Sequence, residues 1–284
     1  GQATLVVPVT PLDDAGFEGS ETVIVTLTAD ASYVVGTPSA ATVTILDEIV
    51  FRDDFDGSLL SSTNWLRPAG AGTFYGRTQV RPPSQPLAVT GGVVRLRLDT
   101  HNPTALTPGD SFWGSEIVTQ SVFSRADGLV FRARARIVGP LRGGMVASVF
   151  SYMTSGGVHD EIDVELVTSQ GKVLTNLFDN APFTSGGNPE YAMVSGLTLT
   201  DFNEYEVRWL ADRVQWKVNG ELVREVTTTV PDEPMSVRLN FWAPASGFAS
   251  AFDASLQPAA TPGGNETFYY EVDFVEVSRA PIGA

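Results

Sequence analysis

The sequence predicts an all-β protein: a two-sheet β-jelly-roll sandwich with a short N-terminal β segment. Three observations predict it. Short runs with apolar residues at every second position recur along the chain, and hardly any stretch has the 3.6-residue period of a helix. Gly and Pro, 27 and 18 of them, punctuate these runs, as turns between strands require. Asn219-Gly220 separates two such runs, and Asn-Gly tolerates the positive φ of a tight type I′ hairpin. Many short strands over ~230 residues form a sandwich or jelly roll.

Composition narrows the function classes. The 284 residues carry 33 Asp+Glu against 18 Lys+Arg, a net charge of −15. Such a surface repels nucleic acid and anionic membranes, leaving neutral ligands and cations. With no Cys there is no disulfide, thiol nucleophile, zinc-thiolate site or iron–sulfur cluster. No apolar run approaches the ~18 residues of a membrane span. No His/Cys cluster points to a transition metal, and no Gly-rich phosphate loop is present. The chain opens inside strand-like sequence at Gly1-Gln2-Ala3-Thr4, with no basic stretch followed by an apolar one. It is expected to be a monomer as excised and a piece of a longer multidomain protein.

Residues 1–48 differ from the rest. They hold seven acids and no Lys or Arg. Alternation over 22–28 and 41–46 predicts two strands rich in β-branched residues. The run Thr4-Leu5-Val6-Val7-Pro8-Val9, the acids Asp13, Asp14, Glu18 and Glu21, and the exit Val43-Thr44-Ile45-Leu46-Asp47-Glu48 resemble the C-terminal half of a Calx-beta domain. That resemblance implies a β-sandwich module able to bind Ca²⁺ through clustered acids, whose hard oxygens suit that ion. A solvated acidic loop is the other reading of the same residues. The second unit is expected to span 49–284, with strands over 92–98, 129–137, 146–152, 205–209 and the hairpin 213–224.

The stretch His159-Asp160-Glu161-Ile162-Asp163-Val164-Glu165 carries the most chemical information. On a strand, alternate residues share a face. Glu161, Asp163 and Glu165 then point one way, and Ile162, Val164 and Leu166 point into a core. Three like charges at ~7 Å intervals on one face oppose folding, a conflict that sequences carry mainly where function needs it. A solvated sheet face or a Ca²⁺ site would use the same pattern. A retaining glycosidase also would: it needs a carboxylate nucleophile and a carboxylic acid ~5–5.5 Å apart. The shared charge raises the pKa of one Glu, which stays protonated as general acid.

This strand resembles the active-site strand of glycoside hydrolase family 16. The resemblance extends over residues ~50–279, and the jelly roll of that family fits the strand texture. It includes Asp54-Phe55-Asp56-Gly57 with Asn64-Trp65, Phe112-Trp113-Gly114-Ser115-Glu116-Ile117, Leu239-Asn240-Phe241-Trp242 and the closing Tyr270-Glu271-Val272-Asp273-Phe274. It implies Glu161 as nucleophile, Asp163 as assisting residue and Glu165 as acid/base. One residue separates Asp163 from Glu165, so the strand is expected to be regular. In the family that form is similar to lichenases, which cut mixed-linkage β-1,3-1,4-glucan, and to xyloglucan-active enzymes. Members acting on β-1,3-glucan, agarose or carrageenan usually carry an extra residue there, a β-bulge.

The expected activity is therefore a retaining endo-β-glucanase on mixed-linkage glucan, with a xyloglucan hydrolase or transglycosylase as the alternative. A non-catalytic glycan-binding adhesion module is the alternative of another class. The partner is a neutral β-glucan, and the setting secreted or cell-surface. Pyranose faces stack on aromatics, with Asn and Arg for hydroxyls. Substrate contacts are expected from Trp242, Asn240, Asn176, Trp113, Glu116, Tyr152, Tyr75, Arg77 and His159, whereas Trp209 and Trp216 are expected in the inter-sheet core. No catalytic cofactor is expected. The resemblance implies one structural Ca²⁺ at Asp273, a position that also reads as an ordinary strand-edge acid.

Overall fold

The computed structural model describes residues 6–10, 20–45, 47–68, 74–125, 128–182 and 187–280. The strands in chain order are β1 (Glu21–Thr26), β2 (Ala40–Ile45), β3 (Ile49–Asp53), β4 (Trp65–Leu66), β5 (Phe74–Tyr75), β6 (Thr78–Val80), β7 (Ala88–Val89), β8 (Val94–Asp99), β9 (Phe112–Thr119) and β10 (Leu129–Ile137). They continue with β11 (Val146–Ser155), β12 (Val158–Val167), β13 (Lys172–Pro182), β14 (Glu190–Tyr191), β15 (Asn203–Trp209), β16 (Val214–Val218), β17 (Glu221–Val226), β18 (Ser236–Trp242) and β19 (Thr267–Arg279). One short 3₁₀ turn, Pro262–Gly264, precedes β19. No helix among the described residues is long and apolar enough to cross a membrane.

Strands β1 and β2 pair only with each other, antiparallel from Glu21–Ile45 to Thr26–Ala40. Most of their apolar side chains face solvent, Ile24 63% exposed and Val43 44%, while Val23 and Ile45 are half-buried. The expected acids Asp13, Asp14 and Glu18 lie outside the described residues.

From β3 onward the strands form the predicted jelly roll. One sheet runs β14–β13–β12–β11–β18–β9–β4. The other runs β17–β16–β15–β10–β19, with β8 and β3 sharing the outer side of β19. Strand β9 joins the two: its first residues pair with β6 and β8, and its last with β18. Among the described residues the strand pairings are antiparallel except β6–β9.

Alternation sets the core. On β12, Ile162, Val164 and Leu166 are buried; on β10, Phe131, Ala133, Ala135 and Ile137 meet them from the opposite sheet, while Arg132, Arg134 and Arg136 point outward. Trp209 and Trp216 are fully buried between the sheets, as expected. Asn219 and Gly220 take φ of 50° and 82°, the positive pair that the predicted hairpin needs. The outward arginines of β10 are matched by acids of β19: Glu271 bridges Arg95 and Arg136, and Glu276 bridges Arg52 and Arg132. Asp273, read as either a Ca²⁺ ligand or a strand-edge acid, pairs with Arg134.

Candidate active site

Strand β12 is regular through the carboxylates. Its register with β11 is unbroken from Val158 to Val167, and that with β13 from Glu161 to Val167. The extra residue lies on β13, opposite Asp160, where the register shifts between His159 and Glu161. There Asn180 adopts φ 47°, a conformation Asn tolerates better than most residues. Asp160 fastens the irregularity: one carboxylate oxygen accepts from Asn180 N at 2.6 Å, and the other from Asp232 N and Glu233 N at 3.3 Å. Asp160, Asp179 and Asp232 form the one group of three acids close enough to share a cation among the described residues, and Asp160's oxygens are already engaged by backbone N–H groups.

Register then stacks side chains into rows on the face away from the core. One row runs Glu116, Asn240, Ser148, Glu165; the next Arg238, Phe150, Asp163, Asn176; the third Ser236, Tyr152, Glu161, Phe178. Above them opens a cleft of about 390 Å³, lined by these carboxylates and by Tyr75, Tyr152, His159, Asn240 and Trp242. Aromatic side chains edge it. Tyr75 lies 6.4 Å from Trp242, and Phe248 lies 6.3 Å from Trp242. The His159 ring sits 4.6 Å from Phe178 and 5.7 Å from Tyr152, with Nε2 3.3 Å from Glu161 Oε2.

Electrostatics separates the acids. Burial, followed by the charge of Glu161, pushes the Glu165 carboxyl up to about 8. Burial also raises Asp163 well above the usual carboxylate range, reinforced by Glu161 and Glu165. A protonated Asp163 donates its O–H to the Glu161 carboxylate, with which it is hydrogen-bonded. Burial and shared charge thus favour the protonated form at Glu165 and at Asp163, beside the Glu161 carboxyl, and acids held apart in this way suit acid and nucleophile chemistry.

Several expected substrate contacts are placed elsewhere. Arg77 holds the loop after β18, donating from Nε to Pro244 O and from Nη1 to Leu256 O, both at 2.9 Å, with Phe112 and Phe252 against its guanidinium. Trp113 lies three residues before Glu116 and therefore on the other side of β9; Arg81 stacks 3.9 Å above its ring. Glu116 is on the cleft side but fully buried beneath it. Asn176 sits in register with Asp163 at the cleft margin, its amide oxygen accepting from Leu177 N. Sequence reasoning missed Ser148, Phe150, Phe178 and Arg238, which the cleft brings together. Arg238 had a usable signal, since it alternates with Asn240 and Trp242. Gly76 explains how Tyr75 reaches the cleft: at φ 52° the β5–β6 turn presses on the end of β18, and a Cβ there would lie 2.8 Å from Ala243 O.

The family model for Glycosyl hydrolases family 16 matches residues 85–271, which include every carboxylate of this site. The chain belongs to that family. Relatives include the beta-glucanase of Brevibacillus brevis, 33% identical over 123 residues that cover 40% of this chain and 46% of that protein. The beta-glucanase of Acetivibrio thermocellus is 29% identical over 218 residues, 75% of this chain and 57% of that protein. The chain thus spans about half the length of the curated relatives it matches. Among solved structures, a prokaryotic beta-1,3-1,4-glucanase (lichenase) from a mouse hindgut metagenome aligns with TM-score 0.65 and 22% identity over 81% of this chain and 99% of that one. Bacillus licheniformis beta-glucanase aligns with TM-score 0.64 and 20% identity over 81% of this chain and 98% of that one. At these identities the structures establish a shared fold.

Proposed function

We propose that this domain is a retaining endo-β-glucanase acting on mixed-linkage β-1,3-1,4-glucan. The carboxylate ladder carries the reading: Glu161, Asp163 and Glu165 share one face of a regular strand, and Glu165 is pushed to about 8. Glu161 attacks the anomeric carbon while Glu165 protonates the departing oxygen. The covalent glycosyl-enzyme is then opened by water, from which Glu165 removes a proton. Asp163 donates to Glu161 and helps it leave the sugar in the second step.

Two further features support a sugar in this cleft. Asn240 Oδ1 and Ser148 Oγ, both in the Glu165 row, are buried and have no hydrogen-bond partner among the described residues. Leaving such atoms without a hydrogen bond costs about 1–3 kcal/mol each, and sugar hydroxyls would satisfy them. Trp242 and Tyr75 offer flat apolar faces to pyranose rings. The regular strand and the name of the aligned lichenase support the mixed linkage. A polymeric substrate supports an extracellular setting.

The test is product analysis on lichenan, laminarin, xyloglucan and agarose side by side, with proton NMR of the first anomer released. Lichenan should yield oligosaccharides whose new reducing ends appear first as the β-anomer. Appearance of the α-anomer first would overturn retention. Binding of glycan with no product from any of the four would favour an adhesion module.

A further inference from the structure

We propose that Arg238 is a substrate-binding residue that selects unsubstituted, neutral sugar next to the point of cleavage, and that Glu116 is the buried positioning residue that holds it. The inference rests on the glucan reading of the cleft. It begins with alternation: Arg238, Asn240 and Trp242 share the cleft face of β18, and all three line the cleft. Register places Arg238 opposite Phe150, and Phe150 opposite Asp163. Two strand spacings separate Arg238 from the carboxylate strand, on the order of 10 Å. Its guanidinium therefore meets a ring beside the reacting one and not the scissile bond.

The guanidinium is held firmly. It stacks 4.6 Å over the Tyr152 ring, its Nη1 donates to Glu116 Oε1 at 3.3 Å and its Nε to Ser236 Oγ at 3.4 Å. These two bonds engage part of a fork of N–H donors, and the side chain remains 23% exposed. Glu116 has no exposed surface, and burial raises its carboxyl while Tyr75 and Arg238 oppose the rise. Burial of a carboxylate costs free energy that only pairing and hydrogen bonds offset, and Arg238 is the cation paired with it. Ion pairing with Glu116 leaves the pair without net charge. Arg238 then serves as an oriented set of N–H donors for hydroxyls, not as a trap for anions. A ring whose hydroxyls are substituted would lose those hydrogen bonds and meet the Tyr152–Arg238 wall.

The experiment compares wild type, Arg238→Lys, Arg238→Met and Glu116→Gln on barley β-glucan and on its carboxymethylated form, reading kcat and KM separately. The same proteins are titrated calorimetrically with a mixed-linkage tetrasaccharide. Arg238→Met should raise KM about tenfold with kcat little changed, the loss of a charge-assisted hydrogen bond. Arg238→Lys should recover part of it, and Glu116→Gln should show a smaller rise in KM. Carboxymethylation should weaken wild type more than Arg238→Met. An unchanged KM in Arg238→Met, or a wild-type preference for the carboxymethylated glucan, would overturn the assignment. If wild type releases no sugar, the hydrolase reading fails by itself, and the calorimetric loss in Arg238→Met still decides the role of Arg238.

Discussion

The indole Nε1 of Trp216 donates a 2.9 Å hydrogen bond to the main-chain carbonyl of Asp163. The bond crosses the whole core, from β16 in one sheet to the carboxylate strand in the other. Arg224 lies 4.9 Å from the Trp216 ring and donates to Thr175 O at 2.9 Å on β13. The sheet behind the cleft thus grips two adjacent strands of the sheet that forms it. Trp216→Phe keeps an aromatic ring and removes the donor. It should lower stability by about 2 kcal/mol, measured by urea unfolding, and reduce kcat more than it changes KM.

Glu165 gives the pH dependence its sign. Its carboxyl stands at about 8 in the folded protein against an ordinary 4.5, so the folded state binds more protons than the unfolded chain between those values. Stability from this group is complete below 4.5 and falls as pH rises towards about 8. The melting temperature should decline over that interval, and Glu165→Gln should flatten the decline, leaving the part due to Asp163, which has the same sign. Hydrolysis should show a basic limb near 8 as the general acid loses its proton.

The nucleophile is tested by Glu161→Ala. Barley β-glucan hydrolysis should fall by several orders of magnitude, and azide should restore turnover with an activated glycoside to give an α-glycosyl azide. Wild-type rates in Glu161→Ala would end the double-displacement mechanism.

His159 touches Glu161 and is clasped between Phe178 and Tyr152. His159→Ala should lower kcat by about ten- to a hundredfold through misplacement of the nucleophile, with a small change in KM. His159→Gln, which can still donate to the carboxylate, should recover part of the loss. Equal losses in both would assign the residue to packing alone.

The β1–β2 hairpin contributes little to the family 16 core, because its strands pair only with each other and are mostly exposed. Removal of residues 1–46 should leave the melting temperature within about 2 °C and hydrolysis unchanged. A larger drop would show that the segment packs on the catalytic unit.

Period-two alternation made much of this protein legible in the sequence. It identified the strands, the face shared by Glu161, Asp163 and Glu165, and the inward direction of Trp209 and Trp216. It does not report register between strands distant in the chain, so Phe150 and Phe178, cleft residues only because they oppose Asp163 and Glu161, went unseen. Depth is equally absent from alternation: Glu116 lies on the cleft side yet beneath its surface. Arg77 was misplaced for another reason. Its guanidinium is captured by the carbonyls of Pro244 and Leu256, 167 and 179 residues away in the chain.

The irregularity opposite Asp160 has a consequence for how this domain can change over generations. A residue gained or lost between Glu161 and Glu165 would exchange the two faces of everything beyond it unless a β-bulge absorbed it. The chain accommodates its odd residue on β13, outside that interval, with Asp160 as the fastener. In this chain the odd residue leaves the spacing of Glu161, Asp163 and Glu165 regular. New specificities then have two routes: exchange of side chains along the cleft's rows with the spacing kept, or a bulge residue gained between Asp163 and Glu165 that re-aims the last acid.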